Sequence, residues 1–196
     1  AIAKIDSGLD PFVLSRATKA VSLDMGIIRC DVDEFRACAR EAADTGDDAR
    51  AVAMARRAER LYVGDLYVPP VDATGYVMTT RDELRRLYGD AMVAGSDAAL
   101  RLGKKRTATR LAMNALTSDD MREDAVVSMV RALRASGRNV EADRQYQRYA
   151  RRLMQSANRP PSRLLRRAAG IGEERGRRLS DEGSVEVTFK ERSCAS

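Results

Sequence analysis

Apolar and small side chains recur at helical spacing from residue 31 to about residue 156. The first helix face defined in this way consists of Phe35, Cys38, Ala39 and Ala42. The spacing predicts six helices over this range. The glycines that interrupt it are Gly46, Gly103 and Gly137. We expect each of them just past the end of a helix, where a glycine often adopts the left-handed conformation.

Capping residues predict where several of these helices begin. The segments Asp31–Glu34 and Thr80–Glu83 have the spacing of a capping box, in which two side chains bond free N–H groups of the first turn. Asp47 or Asp48 is expected to cap the second helix. The helix opened by Thr80 is predicted to be long, because its apolar positions continue to Gly103.

Residues 1–30 have a different pattern. Short apolar runs begin at Phe12, Ala20 and Gly26 and are separated by Gly, Asp and Pro, which is typical of strands. We therefore divide the chain into a short β element over residues 1–30, a helical domain over 31–156, and a flexible basic C-terminal extension over 157–196.

The three glycines align an internal repeat. Five residues after them stand Ala51, Ala108 and Ala142. Gly137 follows Gly103 by 34 residues, and the 57 residues between Gly46 and Gly103 equal one 34-residue period plus an insertion of 23. Pairs of antiparallel helices with small residues at their contacts are typical of tetratricopeptide repeats. The pattern predicts an all-α, right-handed array of about three helical hairpins; the alternative is three hairpins without repeat identity.

Composition excludes several classes of site. The chain has no His, and its three cysteines form no CxxC pair, so the usual general base and the usual zinc ligands are missing. Neither a nucleophile–base arrangement nor a nucleotide-binding loop is recognisable. We expect no enzyme activity, cofactor or metal, and, with no long apolar stretch and an odd number of cysteines, a cytoplasmic protein without a membrane span.

Four segments match a known family: Asp31-Val-Asp-Glu-Phe35, Leu61-Tyr-Val-Gly-Asp-Leu66, Arg81-Asp-Glu-Leu84 and Met129-Val-Arg-Ala-Leu133. With them, the chain from about Phe12 to Met154 resembles the bacterial transcriptional activator domain. This is the tetratricopeptide-like module of actinobacterial transcription factors of the antibiotic-regulatory-protein type. Departures are Tyr76, where members often carry Trp, and Asp119-Asp120, where a proline is usual.

The resemblance implies a non-catalytic regulatory domain that conveys activation through protein contacts. Implied partners are RNA polymerase, the DNA-binding domain of the same protein, or a second protomer in a homodimer. DNA would be bound by an upstream winged-helix domain, of which residues 1–30 would be the end. The alternative function is a free-standing tetratricopeptide scaffold that binds an acidic peptide or partner.

The first helices of such repeats line a groove. The candidate groove residues are Arg36, Arg40, Val93, Asp97, Val127, Arg131 and Arg134. Four arginines against one aspartate favour an acidic peptide or a terminal carboxylate, because a guanidinium group pairs bidentately with carboxylates. A solvated charged face, or a dock for a neighbouring domain, is the alternative.

The net charge of +6 is concentrated at the C-terminal end. Residues 1–150 carry 24 basic and 23 acidic residues, whereas residues 151–196 carry 11 basic and 6 acidic residues. Candidate phosphate-contacting residues in the extension are Arg163, Arg166 and Arg167. A solvated tail that contacts nothing is the alternative.

Overall fold

The computed structural model describes residues 12–15, 20–23, 30–66 and 75–171. In these ranges, the elements are β1 Phe12–Ser15, β2 Ala20–Leu23, α1 Asp31–Asp44, α2 Asp48–Leu61, α3 Gly75–Arg101, α4 Lys105–Ser118, α5 Glu123–Ala135, α6 Asn139–Ala157 and α7 Arg163–Ala168. The helices confirm the predicted all-α array. None of the described helices has the length and apolar character that a membrane crossing requires.

A two-stranded antiparallel sheet precedes the helices. Phe12 of β1 lies opposite Leu23 of β2, and Ser15 lies opposite Ala20. The small N-terminal β element is therefore confirmed at the first two apolar runs. The third run, which starts at Gly26, lies outside the described residues, as does the extension after residue 171.

The helices form two rows. Helices α1, α3, α5 and α7 contact one another in that order, and we call them the first-helix row. Helices α2, α4 and α6 each pack on the preceding first-row helix, and α2 and α4 also pack on the next one; we call them the second-helix row. This is the arrangement of stacked helical hairpins that the repeat predicts.

Small side chains allow these helices to approach closely. Ala51, Ala108 and Ala142, the repeat positions predicted to face neighbouring helices, are all buried. A β-carbon on Gly95 would overlap the methyl group of Ala55, so α3 and α2 are in contact at that point through backbone and methyl groups alone. Packing at this density makes the relative positions of the helices sensitive to a single added methyl group.

The predicted helix starts are right at one position and wrong at two. Asp47 caps α2, and its carboxylate accepts the N–H of Ala49 at 2.8 Å. Cys30, not Asp31, precedes α1, and no side chain caps that helix. The long helix α3 begins at Gly75, so the segment Thr80–Glu83 lies inside it rather than at its start.

A glycine in the left-handed conformation follows three of the helices. Two of these glycines stand where the sequence predicts them, and the third was not predicted. Gly103, Gly137 and Gly170 have φ values of +71°, +75° and +67°. At Gly137, the N–H of Arg138 bonds the Leu133 carbonyl at 2.9 Å, which is the six-residue bond of a Schellman motif. Gly46 also lies just past the end of its helix, as predicted, but it does not adopt the left-handed conformation: it has no positive φ, and α1 ends in extended backbone at Thr45.

The first part of the predicted extension is a packed helix. Helix α7 packs against α5, and Leu165 of this helix and Ala169, which follows it, are buried. Gly170 follows Gly137 by 33 residues and has the same conformation, so α7 occupies the place of the first helix of a further repeat.

We expect a glycine-to-alanine substitution to change the free energy of unfolding by different amounts at these turns. Gly103→Ala and Gly137→Ala each place a β-carbon in the left-handed region, so each should lower the free energy of unfolding by about 1 kcal/mol. Gly46→Ala should change it by no more than about 0.5 kcal/mol, because Gly46 has no positive φ and no atom lies within 4 Å of the added carbon. Urea unfolding followed by circular dichroism measures all three. A loss at Gly46 equal to the other two would contradict the assigned turns.

Candidate protein-interaction surface

The segment Leu61–Leu66, the most specific match to the family, joins α2 to the start of the inserted region. The ring of Tyr62 stacks on Tyr88 of α3, with ring centroids 4.4 Å apart, and lies 5.4 Å from Phe35 of α1. One aromatic residue of this segment therefore packs against two first-row helices.

Polar contacts also hold this segment against α3. The Tyr62 hydroxyl donates to Asp65 at 2.6 Å, and Asp65 forms an ion pair with Arg85 of α3. Burial, together with the Asp65 carboxylate, raises the pKa of Tyr62, and the hydrogen bonds from Arg85 and Tyr62 lower the pKa of Asp65. The segment is thus fixed to α3 both by stacking and by charge, which gives the residues of this segment a structural role.

An open apolar pocket lies beside this segment at the start of α1. Val32, Phe35, Leu61 and Leu84 contribute to its lining, and Val63 at its edge is 96% exposed. The chain enters α1 from residues 1–30 at this position. The pocket is therefore apolar surface close to the point where the N-terminal segment joins the helices.

The structure brings Arg36 and Arg40 together on one carboxylate. Arg36 of α1 pairs with Glu83 of α3 at 3.0 Å, and Arg40 pairs with the other oxygen of Glu83 at 3.6 Å. The repeat pattern did not place Glu83 on this face. As part of a capping box, Glu83 would bond a backbone N–H in the first turn of α3 rather than arginines of α1.

Asp97 and Arg131 form the next contact along the row. Asp97 of α3 accepts a hydrogen bond from Ser128 of α5 at 2.8 Å and pairs with Arg131 at 3.8 Å. Val127 is only 3% exposed, and Val93 is partly buried against the core, so both lie beneath the charged side chains. The predicted groove residues on α3 and α5 are thus divided between surface and core.

Arg134 contacts α7. Its guanidinium group donates to Asp143 of α6 at 2.6 Å and to the carbonyl of Ala169 at 2.7 Å. A cation at this position stabilises the carbonyl end of α7. Because Arg134 already holds α7 and α6, it is less available to a partner than Arg40 or Arg131.

A further junction between α3 and α5 was missed by the sequence analysis. Arg122 pairs with Asp124 at 2.7 Å and with Asp90, and these hydrogen bonds raise the pKa of Arg122. It also donates to the carbonyl of Arg86 at 3.3 Å. Gly89 provides the space for the guanidinium group of Arg122, since a β-carbon at position 89 would overlap that group. Only the tertiary contact of α3 with α5 reveals this role.

The three candidate phosphate contacts lie on α7. Arg163 and Arg167 are exposed, and Arg166 is half-buried. None of the three has a carboxylate within 4 Å among the described residues. Across the described ranges, no three His, Cys, Asp or Glu side chains are grouped as a metal site would need.

The Asp65 contacts predict an acid-dependent stability. A lowered folded-state pKa gives stability that is present above the unfolded pKa of about 4 and is lost as the pH falls through the folded value. Asp65→Asn should therefore cost about 1 kcal/mol of unfolding free energy at pH 7, and the difference from wild type should shrink below about pH 4.

Asp82→Asn is the control, because Asp82 is 66% exposed and its pair with Arg81 is 4.0 Å long. It should change stability by less than about 0.5 kcal/mol. Urea unfolding at pH 7, 5 and 3 gives both series. A pH-independent cost of Asp65→Asn would show that the charge of Asp65 is not what stabilises the segment.

Comparison with known families identifies the fold that these contacts hold together. A family model described as the bacterial transcriptional activator domain matches residues 30–170, a range that begins just before α1 and ends just after α7. Comparison with curated proteins finds no match, and neither does comparison with solved structures. The match covers most of the 196 residues. The chain therefore belongs to the bacterial transcriptional activator domain family, and it is part of an activator-type transcriptional regulator.

Proposed function

We propose that this chain is a non-catalytic regulatory domain that conveys activation by binding other proteins. The observation that supports this is the continuous first-helix row, which presents one surface from α1 to α7. A surface of stacked helices is preformed, so a partner can bind it without the cost of ordering a segment. Family membership supports a role for that binding in transcription regulation.

Arg40 and Arg131 are the proposed main contacts on this surface. Their side chains are 60% and 42% exposed, and their ion pairs with Glu83 and Asp97 are long, at 3.6 and 3.8 Å. An acidic segment of a partner can approach both guanidinium groups and form shorter, bidentate bonds. Arg36, Val93 and Val127 support these contacts from a more buried position, as their exposure indicates.

RNA polymerase, the DNA-binding domain of the same protein, and a second protomer are the proposed partners. We propose that residues 1–30 are the end of an upstream winged-helix domain, through which the regulator binds DNA. The apolar pocket at the start of α1 supports the DNA-binding domain as one partner, because the N-terminal segment joins the helices there. A homodimer would use the same first-helix row.

A free-standing scaffold that binds an acidic peptide is the second candidate. The arginines of the first-helix row favour it as much as they favour the regulator. The two functions differ in one respect: only the regulator raises transcription when the chain is held near a promoter.

Fusion to an unrelated DNA-binding domain tests the regulatory function. We expect the fused chain to raise transcription of a bacterial reporter that carries the operator of the added domain. Arg40→Ala with Arg131→Ala should reduce this activation about tenfold, which corresponds to roughly 1.4 kcal/mol of lost partner affinity. Reporter activity is measured at equal fusion protein levels.

Arg101→Ala with Arg138→Ala is the matched control. These arginines are 62% and 47% exposed and are also ion-paired, but they lie near the hairpin turns that follow α3 and α5. The control should retain activation. Activation that is lost equally in both variants would exclude the proposed contact residues, and no activation by the unaltered fusion would favour the scaffold.

A further inference from the structure

The two helix rows differ in charge. The second-helix row, α2 with α4 and α6, carries eleven basic and four acidic side chains, a net charge of +7. Helices α1, α3 and α5 of the first-helix row carry eight basic and eleven acidic side chains, a net charge of −3. The array therefore has opposite charge on its two sides over the first three hairpins.

Ion pairing increases the difference in charge between the two rows, because it neutralises a larger share of the basic side chains in the first-helix row. All eight basic side chains of α1, α3 and α5 lie within 4.0 Å of a carboxylate. In the second-helix row, four of the eleven do so, namely Arg50, Arg57, Arg110 and Arg152. The seven others, which have no such pair within the described residues, are Arg56, Arg60, Lys105, Arg106, Arg144, Arg148 and Arg151.

These seven cations are all exposed and are distributed over all three helices of the row. On α6, Arg144, Arg148 and Arg151 follow one another at four and three residues, so they share one helix face. They span about 10 Å along the helix axis at 1.5 Å per residue. Each strand of DNA presents a phosphate about every 3.4 Å along its axis, so several phosphates lie within such a span.

The row offers a protein partner little apolar area. Among its described residues, the large exposed apolar side chains are Met113, Val140 and Met154. Protein interfaces usually have an apolar or aromatic centre, whereas nucleic-acid interfaces are polar and strongly positive. Unpaired arginines without an apolar centre therefore favour a polyanion whose charges are regularly spaced.

We propose that the second-helix row, through its seven unpaired cations, binds the phosphate backbone of duplex DNA without sequence preference. This function is separate from the protein contacts proposed for the first-helix row. In an activator-type regulator it would hold the helical array against DNA and fix the direction in which the first-helix row faces. It does not depend on the identity of the partner protein.

The test uses the complete 196-residue chain and a fluorescent 20-base-pair duplex of mixed sequence. Binding is measured by anisotropy between 50 and 300 mM NaCl. Arg144→Gln with Arg151→Gln should weaken binding at least fivefold at 100 mM NaCl. It should also reduce the slope of log affinity against log salt by about 2, since each lost phosphate contact removes about 1.

Arg86→Gln with Arg101→Gln removes the same charge from α3 of the first-helix row, where the two side chains are 65% and 62% exposed. This control should retain the salt slope of the unaltered chain, and thermal unfolding should confirm that both variants fold. Equal losses in the two variants would assign binding to overall charge, and a loss in the control alone would assign it to the first-helix row. Either result would overturn the proposal, as would undetectable binding at 50 mM NaCl.

Polyglutamate of matched charge distinguishes the other class of partner. It should displace the duplex at least tenfold less effectively than unlabelled duplex does. Equal displacement would mean that the row recognises acidic polypeptide as well as DNA, and the nucleic-acid proposal would then be withdrawn.

Discussion

Close approach of neighbouring helix backbones is the constraint on which this array depends. At Gly95 of α3, the methyl group of Ala55 occupies the place that a β-carbon would need, and Ala58, Ala91 and Ala112 are likewise fully buried. Each alanine buries little apolar area, so the core gains stability from many short contacts rather than from a few large side chains. A packed surface of this kind has few alternative arrangements, which accounts for the same pattern of helix contacts recurring along the chain.

The turns at the helix ends determine how this pattern of helix contacts continues along the chain. Left-handed glycines at 103, 137 and 170 end three first-row helices in the same way. The turn at Gly46 differs, and there the second-row helix is fixed instead by the Asp47 cap and by the pair of Arg57 with Glu34. At the first hairpin, side-chain contacts therefore help to orient the second helix. At the later hairpins, the left-handed backbone of the glycine turn does so.

The sequence predicted what periodicity can encode. Alanines at 51, 108 and 142 mark helix contacts in the pattern, and all three are buried. It did not predict the start of α3 at Gly75, because glycine is a poor helix former and the capping-box pattern at Thr80–Glu83 indicates a later start. Nor did it place Glu83 beside Arg36 and Arg40, or Arg122 against Gly89, because these contacts join residues that are 33 to 47 positions apart along the chain.

If the first-helix row binds a protein as proposed, the ion pairs along this row would make that binding selective. A protein that binds there must replace contacts that the arginines already make, and the cost of replacement differs along the row. Arg134 bonds Asp143 of α6 at 2.6 Å and the carbonyl of Ala169 at 2.7 Å, and Arg122 bonds Asp90 of α3 and Asp124 of α5, so removing either arginine would also loosen the array. Arg40 and Arg131 have longer pairs and greater exposure, so a carboxylate can gain more there than it displaces. Under the proposed function, a ligand whose acidic groups match the separation of these two arginines would be favoured, so spacing as well as charge would determine recognition.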